Sequence, residues 1–140
     1  MVDDVLLNKA AIIERCLQRV TEEYRGHESE LEQNFTRQDA IVLNLLRACE
    51  AAIDLAMHQV RVERLGLPQE SREAFQMLEA AGIISPDLST RMQRMIGFRN
   101  IAVHEYQKLD LAILRNVLDQ RLDDFREFVA LALRGSGSAQ

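Results

Sequence analysis

Only two prolines, Pro68 and Pro86, interrupt this 140-residue chain. Almost no position is therefore barred from the interior of a helix by a missing N–H and a clashing ring. The apolar residues use that freedom. From the N-terminus, Val5, Leu6, Ala10, Ile13, Cys16, Leu17, Val20 and Tyr24 form one stripe at helical spacing, with Gly26 as a stop, which predicts a first helix from about residue 3 to about 25. After the polar, acidic stretch His27 to Gln33, Thr36 is the predicted N-cap of a second helix, with Asp39 three residues later approximating a capping box. Its stripe, Ile41, Leu45, Ala48, Ala52, Leu55 and Gln59, runs until Gly66 and Pro68. Such a helix spans about 40 Å at about 1.5 Å per residue, long for so small a domain, and invites a partner subunit along part of its length.

A short third helix is expected from about Ser71 to Ala81, with Phe75 and Leu78 inward and Gly82 as its stop. Ser85 as N-cap, Pro86 at the first helical position and Asp87 in the first turn start a fourth. Asp110 caps a fifth, whose stripe Leu111, Leu114, Leu118, Leu122, Phe125 and Val129 carries it to about Leu133. Gly135 to Gln140 has nothing to bury and reads as a flexible Gly/Ser tail. No alternation of period two and no repeat occurs. The expectation is all-α: a single domain over residues 1–134, an up-down bundle of four to five helices.

A chain this long supports one core without staples. At 47% hydrophobic residues it is too apolar for disorder. The net charge of −5 argues, taken whole, against a bulk electrostatic grip on nucleic acid or anionic lipid. Cys16 and Cys49 stand apart from each other and from any histidine cluster, so they read as small buried hydrophobes of a reducing compartment and signal neither zinc nor a disulfide. No apolar run approaches the roughly 20 residues that span a bilayer, and Asp3 and Asp4 stand where a signal peptide carries positive charge. A cytoplasmic protein with no membrane partner is expected.

The pattern breaks in one place. The inward stripe of helix four runs Leu88, Met92, Met95, Arg99, Ala102. An unpaired guanidinium in a core costs several kcal/mol, so Arg99 must face a partner charge, a polar cleft or a subunit interface. His104 lies five residues on, about 140° around a continuous helix. The two share a site within one chain only if the helix bends, and the β-branched Ile101 and Val103 predict fraying near Ala102 to Val103 that swings His104 back toward Arg99. Between Ser89 and Lys108, Arg91, Arg94, Arg99 and Lys108 face Glu105 alone, a local +3 that leaves −8 for the rest. Arginine with histidine suits phosphodiester chemistry. Histidine exchanges protons near neutral pH and arginine gives fixed donors to phosphate oxygens, while RNA brings its own nucleophile, the 2′-hydroxyl. A capped or salt-bridged pair has the same spacing.

The stretch Met95-Ile96-Gly97-Phe98-Arg99-Asn100-Ile101-Ala102-Val103-His104-Glu105-Tyr106 closely resembles the R-x4-6-H-x-Y signature of the HepT-like toxins in the HEPN superfamily. The resemblance extends to Ala51 through Ala56, Gly66-Leu67-Pro68, Glu73-Ala74-Phe75 with Leu78, and Leu122-Asp123-Asp124-Phe125. It implies a homodimeric, HEPN-like bundle acting as a metal-independent endoribonuclease without cofactor, the toxin of a toxin–antitoxin pair. Carried over by motif position, Arg99 and His104 are the catalytic residues and Asn100 is the adjacent polar residue that orients the phosphate or His104. Tyr106 is the tyrosine that an MNT-type nucleotidyltransferase antitoxin adenylylates, which silences the toxin. The implied partners are thus an RNA substrate, that antitoxin and a second copy. Two copies of Arg99 facing an intersubunit cleft would escape burial and merge two basic patches into one groove.

Other residues read more plainly. His27 is expected in a solvated loop and His58 on a helix surface or interface, while Met57, Met77, Met92 and Met95 fill core gaps. Asp54, a lone acid among apolar neighbours, is a candidate to support the site, by pairing with Arg99 or by capping a neighbouring backbone. Two rivals remain at this stage: a non-catalytic dimeric module that binds nucleotide or protein, and a plain helical interaction protein.

Overall fold

Helices in this chain begin where a short polar side chain takes up a backbone N–H that has no partner one turn earlier. Asp3 accepts from Val5 N ahead of α1 (Asp4–Tyr24). Asn34 does so from Arg37 N ahead of α2 (Phe35–Val62), Ser85 from Leu88 N ahead of α4 (Pro86–His104), and Asp110 from Ala112 N ahead of α5 (Leu111–Asn116). Only α3 (Ser71–Ala80) starts without such a bond among these helices. A π-helical turn, Val117–Arg121, joins α5 to α6 (Leu122–Ser138) in one continuous run. The computed structural model describes residues 3–106 and 109–138, with side chains as far as residue 134, and no strand occurs among them.

Several expectations shift. Thr36 is inside the first turn of α2, and Asn34 is the cap. α2 ends at Val62, short of Gly66; Arg64 (φ 54°) and Gly66 (φ 134°) carry the reversal. α6 extends to Ser138, and of the expected Gly/Ser tail residues 139 and 140 lie outside the described residues, as does Lys108. The single stripe expected in the last helix is broken. Leu114, Leu118 and Phe125 are buried, but Leu111, Leu122 and Val129 only partly, and Phe128 and Ala132 take core positions instead. The wide turn at Val117–Arg121 spends more residues per revolution than an α-helix, so the inward face beyond it is displaced.

α2 is the centre, touching α1, α3, α4 and α6. The cross-links fix direction. Asp3 meets His58, Lys9 meets Asp54 and Glu23 meets Arg37, so numbering rises along α1 as it falls along α2. Glu50–Arg99 and Asp39–Tyr106 show the same antiparallel sense for α2 and α4. The up-down bundle is as expected. Its core includes Leu17, Leu45, Leu55, Phe75, Leu88 and Phe125, and Phe75 and Phe128 meet with centroids 5.1 Å apart. Gln59, on the inner stripe of α2, is 1% exposed, with both amide atoms unpartnered among the described residues.

Candidate active site

α4 does not fray at Ala102. It stays helical through His104, and the chain leaves the helix at Glu105 (φ −141°, ψ 52°), whose N–H donates to Ile101 O at 2.8 Å. The predicted swing of His104 toward Arg99 is therefore absent, because one intact hydrogen-bonded turn holds the backbone that was to bend. Arg99 and His104 of one chain sit about 140° apart around α4, separated by about 7.5 Å of rise. Asn100 lies between them in azimuth, one turn before His104. The imidazole is exposed.

Arg99 meets the first of the three fates open to it, a partner charge. Its Nε donates to Glu50 Oε1 on α2 at 2.5 Å, and its Nη1 donates to Asn100 Oδ1 at 2.7 Å. Nη2 has no partner among the described residues. The guanidinium is held through two of its nitrogens, which fixes the direction of the remaining Nη2 donors, the ones left for a phosphate. Asp54 does not reach Arg99. It pairs with Lys9 on α1 at 3.1 Å, one turn along α2 from Glu50. Glu50 fills the role expected of Asp54. It also borders an open groove of about 770 Å³ between α1 and α2, lined by Lys9, Arg15, Asn44 and Arg47 among others.

Because the helix ends at His104, Tyr106 turns off its axis toward the start of α2. Its hydroxyl donates to Asp39 Oδ1 at 2.7 Å, with Gln38 Oε1 at 3.4 Å, while the residue as a whole is 38% exposed. Partial desolvation and then the Asp39 carboxylate push the phenol up to about 12. Tyr106 is a neutral donor at physiological pH. It borders an open depression of about 480 Å³ with Glu32, Phe35 and Leu109.

The local +3 proves uneven. Arg91 is consumed by Asp87 on its own helix (3.0 Å) and by Glu127 (3.0 Å) and Asp124 (2.6 Å), the last two tying α4 to α6 and holding its pKa above the usual arginine value. Arg99 has Glu50. Arg94 alone of the three has no ion pair among the described residues. The other histidines are structural: His27 bonds Glu30 at 2.7 Å, and His58 Nε2 reaches Asp3 Oδ2 at 2.6 Å, locking the start of α1 to the end of α2. Cys16 and Cys49 are free and buried, with burial pushing the Cys49 thiol up to about 12. Met92 and Met95 are buried, and Met57 and Met77 are packed against the core.

The ribonuclease HepT-like family model matches residues 13–132. The chain belongs to that family. It is 44% identical over 128 residues to an mRNA nuclease HepT from Shewanella oneidensis, covering 91% of this chain and 96% of the relative. Among solved structures, a toxin–antitoxin crystal structure with AMP-PNP superposes with a TM-score of 0.89 at 42% identity, covering 93% of this chain and 98% of the other. A tri-AMPylated HEPN toxin of Shewanella oneidensis in complex with an MNT antitoxin gives 0.88 at 44% identity, covering 92% and 96%.

For a HepT-like ribonuclease, two contacts at the motif escaped the sequence reading: Glu50 on Arg99, and Asp39 on Tyr106. Glu50 is one helical turn from Asp54 and shares its flank of α2, so a search of both acids would have included it. In the sequence Asp39 reads as part of a capping box, and its spacing from Tyr106 carries no signal. Among the described residues no helix is long and apolar enough to cross a membrane.

Proposed function

We propose that this chain is the toxin of a toxin–antitoxin pair, a metal-independent endoribonuclease in which Arg99 binds the scissile phosphate and His104 moves protons. The observation that carries the reading is the Arg99 guanidinium, held by Glu50 and Asn100 with Nη2 left over, inside an R-x4-H-x-Y motif of a HepT-like chain. In the reaction, the 2′-oxygen of the substrate attacks phosphorus, a 2′,3′-cyclic phosphate forms and the bond to the 5′-oxygen breaks. One proton leaves the 2′-hydroxyl and one arrives at the 5′-oxygen, and imidazole serves either step. The charge growing on the non-bridging oxygens meets the Nη2 donors of Arg99. The nucleophile is the substrate's own, so no metal is needed to generate it.

The azimuth between Arg99 and His104 supports a homodimer. One helix presents them on different flanks, and a second copy of α4 across a cleft would set His104 of one chain opposite Arg99 of the other. Silencing by an MNT-type nucleotidyltransferase antitoxin fits Tyr106. Its oxygen would attack the α-phosphorus of ATP, pyrophosphate would leave, and Asp39, at 2.7 Å, stands ready for the proton. The bound AMP would then place bulk and negative charge two residues from His104, blocking and repelling RNA.

Cleavage of RNA with chelator present tests the reading. Wild type is expected to cut and leave 2′,3′-cyclic phosphate ends, and His104→Ala and Arg99→Ala are expected to lose about 10²–10⁴-fold in rate. A wild type that binds nucleotide yet leaves RNA intact would establish the non-catalytic module instead. The modification is read separately, as an adenylyl mass gain with antitoxin and ATP that Tyr106→Phe abolishes.

A further inference from the structure

The exposed flank of α4 carries more than His104. At about 100° per residue, Thr90, Gln93, Arg94, Gly97, Ile101 and His104 fall within an arc of about 100°, a strip about 21 Å long. Thr90, Arg94, Ile101 and His104 are exposed on it, Ile101 at 42% despite being apolar. α3 adds one more group. Arg72 lies across the strip, its Nε donating to Gln93 O at 3.4 Å and its Nη2 2.8 Å from where a Cβ on Gly97 would stand. Gly97 is thus the gap in the helix surface that lets a guanidinium from α3 rest on α4. Arg72 and Arg94, with Thr90 and Gln93, line an open groove of about 260 Å³ that contains no acidic residue. Neither arginine has a carboxylate partner among the described residues, in a chain whose net charge is −5.

We propose that this groove is a phosphate-binding subsite, in which Arg72 and Arg94 hold the backbone of single-stranded RNA a few nucleotides from the bond being cut. The inference rests on the ribonuclease reading above and adds the path of the substrate. The two guanidiniums, free of carboxylates among the described residues, match the oxygens of a phosphodiester. The Thr90 hydroxyl is spent on Pro86 O and the Gln93 amide on Ser89 and Gln76, so the arginines carry the contact, and contacts to phosphate carry no sequence information. Arg94 is ten residues before His104, about 15 Å along the axis, so the subsite is separate from the catalytic phosphate. Between them Ile101 offers an apolar surface for a base to rest on. The rest of α4 explains why the subsite is small: Arg91, the next arginine toward its start, is tied up by Asp87, Asp124 and Glu127.

The test measures binding of a fluorescent single-stranded RNA of mixed sequence to full-length protein carrying His104→Ala, which keeps the RNA uncut. Adding Arg72→Ala or Arg94→Ala is expected to weaken binding about tenfold each, whatever the RNA sequence. Each change is also expected to reduce the slope of log affinity against log salt by about 0.7. Gly97→Ala, which only pushes the tip of Arg72 aside, is expected to reproduce part of the Arg72→Ala effect with an unchanged melting temperature. In the otherwise wild-type enzyme the loss should fall on KM with long RNA rather than on kcat. Unchanged affinity and salt slope in the double variant would overturn the subsite while leaving the nuclease reading intact. RNA that binds through these arginines but is never cut would sink the nuclease reading and leave the subsite. Loss of antitoxin binding or of the dimer, with RNA affinity unchanged, would assign the groove to a protein partner and overturn the proposal.

Discussion

A guanidinium has five donors, and which of them are occupied decides what it can do. In Arg99, Glu50 and Asn100 take Nε and Nη1, so Nη2, without a partner among the described residues, has a fixed direction. Glu50 therefore acts through Arg99. Glu50→Gln keeps a hydrogen-bond acceptor of the same length but removes the charge, and is expected to lower kcat about tenfold with unchanged melting temperature. Glu50→Ala, which frees the side chain to wander by an ångström or more, is expected to cost about a hundredfold. Equal rates in steady-state cleavage for all three proteins would remove Glu50 from the site. About two turns further along α2, His58 and then the Val5 N–H hold the Asp3 carboxyl below the usual carboxylate range. The sign follows from the lowered folded value: the contribution is complete above the unfolded pKa of about 3.9 and is lost as pH falls through the folded one. Melting temperature followed into acid should drop in wild type, and the drop should be shallower in Asp3→Asn.

At the scale of elements, α2 is the longest of the described helices and carries a buried amide, Gln59, without a partner among the described residues. Burying an amide without hydrogen bonds costs about 1–3 kcal/mol, whereas an apolar side chain of similar length fills the same space without that penalty. Gln59→Met is therefore expected to raise stability, by about 1 kcal/mol or more, as read from the denaturant midpoint at constant m-value. A lower midpoint would show that the amide has a partner the helix packing supplies. The end of α4 is the second decisive element. Its intact turn through His104 places that residue on the exposed flank, and its exit at Glu105 sends Tyr106 back to Asp39. A helix one turn shorter or longer would separate those two placements. The π-helical turn at Val117–Arg121 plays a comparable part in the last helix, re-aiming Phe128 and Ala132 into the core.

For the whole molecule, the separation of Arg99 and His104 around one helix makes a composite site between two copies the arrangement to test. Arg99→Ala and His104→Ala proteins, each inactive alone, should recover a measurable share of cleavage when mixed and allowed to exchange subunits, because one of the two clefts in the mixed dimer regains both groups. No recovery, with mixed dimers shown to form, would place both groups of each site in a single chain. Much of this protein was legible in one dimension. Helical periodicity, the caps Ser85 and Asp110 and the stops Gly26 and Gly82 act through neighbours three or four residues away, so the all-α bundle and four of its helix boundaries followed from local rules alone. The Arg-x4-His-x-Tyr motif was legible for the same reason, lying within a single stretch. What the tertiary structure alone decided are the meetings between remote segments: Glu50 rather than Asp54 on Arg99, Asp39 on Tyr106, the capture of Arg91 by α6, and Arg72 of α3 resting on Gly97. Each depends on how far one helix slides along another. That axial register is set by the packing of the whole core, and a shift of one turn exchanges Glu50 for Asp54 without altering any periodicity the sequence displays.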